Sequence, residues 1–169
     1  MKDSNLSPTP KIMVHTDNGW DWGAQKWFYD TVLGEGPLVD SDFDLMGVSF
    51  YPFYGKDATL EALRNSLGKM YERYGKSLLV VETDWPVSCP NPEYPFPADL
   101  QDISFSVQGQ TTFLEDLLHV LDEVQGADGI YYWEPAWIGN GGLGSSCRDV
   151  LMVESSGKIR ESIKVFGEM

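Results

Sequence analysis

The stretch SLLVVETDWP (residues 77–86) runs four apolar residues, Leu78, Leu79, Val80 and Val81, straight into Glu82, with Trp85 and Pro86 close behind. A short, continuously apolar run is what a parallel strand covered on both faces requires. Three more stretches share the pattern: KIMVH (11–15), LMGVSFY (45–51) and GIYYW (129–133). Amphipathic helical patterns lie between them. DATLEALRNSLGKMYERYG (57–75) places Leu60, Leu63, Leu67, Met70, Tyr71 and Tyr74 on one stripe, with Gly75 as the stop. In TTFLEDLLHVLDEVQG (111–126), Thr112 and Glu115 read as a capping box and Gly126 as the end. Shorter helices are expected over 24–34 and 157–167. The fold class is therefore α/β, with βα units in series.

Serial βα units fit either a small doubly wound sheet or part of a (β/α)8 barrel, whose full length is ~250 residues. The loops discriminate. Those that follow strand C-termini are long and aromatic: TDNGWDWG, PFYGK, residues 83–110, and EPAWIGNGGLGSSCRDVLMVESS. Those returning to a strand, such as GKS and GAD, are short. A barrel gathers its functional residues on the first set, whereas an open sheet gathers them at one switch point. Every strand end here is decorated. The expectation is a partial barrel over residues 11–169, with residues 1–10 as a loop.

The 169 residues carry a net charge of −14, which opposes nucleic acid and anionic membrane surfaces. No apolar run approaches the ~20 residues of a membrane-crossing helix. A neutral ligand is the natural partner. Aromatic residues make up 13% of the chain, including six Trp and eight Tyr, more than a core alone calls for. Cys89 and Cys147 fit either one disulfide or two separate thiols, with their loop context favouring the bridge. The N-terminal MKDSNLSPTPK lacks an apolar segment, so no signal peptide is expected in it.

Glu82 is the leading candidate for chemistry, because a carboxylate ending a buried strand sits at the rim of the active face. The bland alternative is a helix cap or an ion pair. His15 and Asp17 end the first strand, but His119 is the only other histidine and falls inside a helix, so no metal site is expected. No cofactor is implied either. Tyr51 ends the second strand, either as packing or as a phenol that orients Glu82. Trp133 ends the fourth, as core or as a flat platform for the apolar face of a sugar. The cluster GNGGLG (139–144) has neither the strand–helix setting nor the lysine of a phosphate loop.

Taken in order, HTDNGWDWGAQKWFYDTV, SDFDLMGVSFYPFY, VVETDWP, SCPNP, YYWEPAWIG and LGSSC resemble the C-terminal half of glycoside hydrolase family 53, the arabinogalactan endo-β-1,4-galactanases, most closely the fungal type. The resemblance runs from about residue 11 onward and corresponds to barrel strands five to eight. It implies an extracellular, retaining, endo-acting glycosidase that cleaves β-1,4-galactosidic bonds in galactan side chains of pectin. Glu82 maps onto the nucleophile, Tyr51 onto the residue that orients it, and Trp133 onto the platform at the cleavage point. His15, Asp17 and Trp20 fall on the loop shaping the leaving-group side, and Trp85 is a further sugar contact. A Cys89–Cys147 bridge would take the place of the calcium found in bacterial members. Asp84 stands where the family more often has Asn, adding a negative charge expected to slow attack.

Retaining hydrolysis needs two carboxyl groups ~5–5.5 Å apart. The family's acid/base lies in an N-E motif, and this sequence contains none. The expectation is an inactive fragment that would need the missing half of the barrel. Two alternatives stand beside it: a homodimer whose second copy supplies Glu134, and a galactan-binding half-barrel without turnover.

Overall fold

The structure, a computed structural model, describes residues 7–137, 147 and 149–167. The first six residues of the expected N-terminal loop and the glycine cluster at 139–144 lie outside the described residues. Four parallel strands, β1 (Met13–Thr16), β2 (Leu45–Ser49), β3 (Ser77–Thr83) and β4 (Ala127–Tyr132), form one sheet in the order β1-β2-β3-β4. A doubly wound sheet reverses direction part way across, whereas a barrel adds each strand beside the last. The fold is a partial (β/α)8 barrel.

Helices α1 (Trp22–Gly34), α2 (Leu60–Tyr74) and α3 (Val107–Asp122) pack on one face of the sheet. Met46, Val48, Leu78, Val80 and Ile130 point to that side and are buried. The alternate residues Met13, Leu79, Val81 and Tyr131 belong to the other face, where they are half-buried or exposed. On the outer layer, Asp30 of α1 accepts from both Arg73 Nε and Nη2 of α2, at 2.8 and 2.9 Å.

Sequence periodicity located α2 well. Thr59 caps it by accepting from the Ala62 N–H, and Gly75 closes it in the left-handed region at φ 65°. The start of α3 is different. It begins at Val107, with the Ser106 side chain accepting from the Gly109 N–H, so Thr112 and Glu115 lie inside the helix and form no box. It also ends at Asp122, before Gly126. The early start has a steric basis: a Cβ on Gly109 would sit 1.7 Å from the Ser104 carbonyl oxygen, so only glycine lets the preceding loop cross the first turn. The last segment forms 3-10 turns over Glu161–Gly167 in place of the expected α-helix.

Trp85 also departs from expectation. It is fully buried, its ring stacked on Phe113 of α3 at 4.9 Å and edge-on to Phe96 at 5.3 Å. Its indole N–H donates to the Ser104 carbonyl at 3.0 Å. A ring with no open face cannot hold a sugar, so Trp85 is core. Trp133, by contrast, is 45% exposed. Cys89 and Cys147 form a disulfide, tying the loop after β3 to the segment after β4.

The two tryptophans should separate cleanly in a urea unfolding experiment. Trp85→Ala is expected to remove about 3–5 kcal/mol of stability, and Trp133→Ala about 1 kcal/mol or less. Similar midpoint shifts for both would contradict this division of roles.

Candidate active site

An irregularity in β3 brings the site together. Val48 of β2 pairs with Val80, but the next residue, Ser49, pairs with Glu82. One extra residue is thus accommodated at Val81, as in a β-bulge. Strict alternation would turn Glu82 to the same side as Leu78 and Val80, beneath the helices. With the extra residue, Val81 and Glu82 are both half-buried in succession, and Thr83 becomes the next buried position. The carboxylate is delivered to the inner face, where it keeps contact with solvent.

Two hydroxyls hold it there. Ser49 Oγ and Tyr51 Oη both donate to Glu82 Oε2, at 3.1 and 3.3 Å. Ser49 has one proton, so when it donates to Glu82 it accepts from His15 Nε2, 2.8 Å away. His15 Nδ1 stands 3.9 Å from Glu82 Oε1. Burial, together with the Asp84 and Glu82 carboxyls, pushes the Tyr51 phenol well above its ordinary pKa, which keeps it a donor. Tyr51 lies two residues past the end of β2, at the start of a 3-10 turn formed by Pro52–Tyr54.

Glu82, Tyr51 and Trp133 line one cavity of about 210 Å³, together with Tyr54, Asp84, Glu134 and Trp137. Trp133 follows directly after β4 and donates its backbone N–H to the Thr83 carbonyl at 2.9 Å. His15 and Asp17 line a neighbouring cavity of about 240 Å³ with Trp27 and Phe28. Trp20 packs against the core beside the strand ends and lines neither cavity. Among the described residues, no three His, Cys, Asp or Glu side chains gather as a metal site.

Ser49 and Trp137 were not singled out by sequence reasoning, and Glu134 was considered only as a carboxyl group supplied by a second copy. Ser49 left one signal, a hydroxyl within the otherwise apolar run LMGVSFY. Asp84 behaves unlike the charged neighbour expected from the sequence. Its side chain is buried, and Oδ1 has no hydrogen-bond partner among the described residues. Burial first, and then the Glu134 charge, raise its pKa well above the usual carboxylate range. Asp84 is held neutral, so the extra negative charge does not arise below that raised pKa.

The model of glycosyl hydrolase family 53 matches residues 1–166. The chain is 61% identical over 170 residues to arabinogalactan endo-β-1,4-galactanase A of Emericella nidulans, taking in 100% of this chain and 48% of that protein. Identity to the protein of the same name from Aspergillus niger is 58% over 170 residues, with 100% and 49% covered. The chain spans about half the length of the curated relatives it matches. A solved fungal β-1,4-galactanase structure superposes with a TM-score of 0.94 at 55% identity, over 99% of this chain and 51% of that one. The family 53 catalytic domain of Ignisphaera aggregans gives 0.72 at 27% identity, over 92% and 46%.

Neutral burial of Asp84 has a signed consequence for stability. Its folded pKa lies above the unfolded value of about 3.9, so the folded chain binds more protons between the two. Stability from this site is full below about pH 4 and is lost as pH rises toward the folded value. Asp84→Asn should therefore melt higher than the native chain at neutral pH, with the gain fading as pH falls to about 4. Melting curves of both chains across that range check this, and a constant difference would refute it.

Proposed function

The chain belongs to glycosyl hydrolase family 53, and from that premise we propose that its site takes β-1,4-galactan and that Glu82 is the nucleophile of a retaining, endo-acting hydrolysis. The observation that carries this reading is the placement of Glu82 and the exposed Trp133 ring on one cavity, with Ser49 and Tyr51 both donating to the same carboxylate oxygen. Engaging Oε2 in this way leaves Oε1 for attack at an anomeric carbon. Trp133 offers a flat face to the C–H side of a galactose ring. Galactanase relatives at 61% and 58% identity supply the substrate class.

Glu82 attacks to form a glycosyl ester, and a second carboxyl group must protonate the departing sugar oxygen. The N-E motif that carries this group in the family has no counterpart in the sequence. We therefore read this chain as contributing the nucleophile side of the site, its turnover of galactan depending on an acid/base from elsewhere. An oxidising, extracellular setting is supported by the Cys89–Cys147 bridge. A second reading, galactan binding without turnover, is favoured by the exposed Trp133 platform standing without the N-E motif.

A substrate whose leaving group needs no proton isolates the role of Glu82. With 2,4-dinitrophenyl 2-deoxy-2-fluoro-β-galactobioside, attack expels dinitrophenolate unaided and the fluorine slows hydrolysis of the ester that forms. The intact chain is expected to gain one fluorogalactobiosyl unit, mapped to Glu82 by peptide mass, and Glu82→Gln none. Labelling at another residue, or equal labelling of both chains, would overturn the nucleophile assignment.

A further inference from the structure

The loop leaving β4 brings a second carboxyl group to the same cavity, in an unfavourable backbone conformation. Glu134 has φ 47°, and it precedes Pro135. A residue before proline is pushed toward extended backbone, and the left-handed region disfavours any side chain larger than that of glycine or asparagine. Flanking hydrogen bonds enforce the turn. On one side the Trp133 N–H donates to Thr83; on the other, the Met152 and Val153 N–H groups donate to the Pro135 carbonyl at 2.9 and 2.8 Å. Glycine would satisfy this backbone more cheaply. Glutamate in its place supplies a carboxylate, and strain of this kind gathers where a side chain has work at a site.

That carboxylate is fixed in position. The Trp137 indole N–H donates to Glu134 Oε2 at 2.8 Å, and Trp137 lines the cavity as well. An ionised carboxylate has about four lone-pair sites, so one indole leaves acceptor capacity facing the cavity. Neutral Asp84 alongside adds no competing charge below its raised pKa.

Building on the galactan reading, we propose that Glu134 is a specificity-determining residue of this site, its clamped carboxylate accepting hydrogen bonds from the hydroxyl groups of the sugar stacked on Trp133. Hydrogen bonds to an ionised acceptor are roughly twice as strong as neutral ones, and a site built around them rejects ligands that lack the matching hydroxyl.

The test measures calorimetric binding of β-1,4-galactotriose to the 169-residue chain and to its Glu134→Gln and Glu134→Gly variants, with a melting curve for each. Glu134→Gln should bind about tenfold more weakly with its melting temperature nearly unchanged. Glu134→Gly should lose at least as much affinity while melting at the same temperature or higher, because glycine accepts the turn. Native-like affinity in either variant overturns the proposal and leaves the galactan reading standing. So does a Glu134→Gln chain whose only defect is a lower melting temperature, since that marks a structural role. No binding by the native chain removes the galactan reading, and this proposal with it.

Discussion

The extra residue in β3 is the constraint on which the site depends. A carboxylate on the helix side of the sheet would sit among Leu63, Leu67, Phe113 and Leu117, all fully buried and apolar. Burying an unpaired carboxylate there would drive it to take up a proton. Shifting the register by one residue moves the whole strand end to the other face. The shift also sets Ser49 opposite Glu82, which places a hydroxyl within reach of the carboxylate and passes that contact on to His15.

Behind the strand ends, a buried polar node holds the loops in register. The Gln110 amide nitrogen lies 3.0–3.2 Å from the Trp85, Val150 and Leu151 carbonyls and from Tyr132 Oη, sharing its two protons among them. Its oxygen accepts from Ser162 Oγ at 2.8 Å. Tyr132 Oη in turn accepts from the Trp85 N–H. Helix α3, the turn after Glu82, strand β4 and the C-terminal segment therefore meet at one amide and one phenol. Around this node, Arg160 grips Asp149 with two bonds of 2.7 and 2.8 Å, and the disulfide lies two residues along the chain at Cys147. Because Gln110 and Tyr132 are satisfied within this node, they hold the strand ends without drawing on the side chains that line the cavity.

What the sequence made legible follows from what burial demands. Continuous apolar runs revealed the four strands, and the apolar stripe of α2 with Gly75 at its end revealed that helix, whereas its Thr59 cap emerged only in the structure. Tyr51 and Trp133 drew notice as aromatic groups at strand ends, open between packing and a site role, and the structure places both on the cavity with Glu82. The bulge left no trace, since VVET reads the same whether Glu82 turns inward or outward. Ser106 was overlooked as a cap because Thr112 offers the same chemistry, and the close pass of Ser104 over Gly109 is a tertiary event. Trp85 misled for a related reason. Its partners Phe96, Phe105 and Phe113 come together only in the fold, so nothing local distinguishes it from Trp133.

The electrostatics of the cavity limit what can enter it. Among the described residues, its lining includes three carboxyl groups, those of Glu82, Asp84 and Glu134, and no lysine or arginine. Each is accommodated separately: Glu82 by two hydroxyl donors, Glu134 by the Trp137 indole, and Asp84 by a burial-raised pKa that favours its protonated form. An anionic ligand would meet these carboxyl groups in a chain of net charge −14, which opposes its entry. A neutral polyhydroxyl ring suits the surface better, since its hydroxyl groups donate to carboxylate oxygens and its C–H face covers Trp133. The same arrangement makes the cavity sensitive to rising pH. Once buried Asp84 ionises near the half-buried Glu134, two like charges share one cavity, and the donor–acceptor balance that suits a polyhydroxyl ring is weakened.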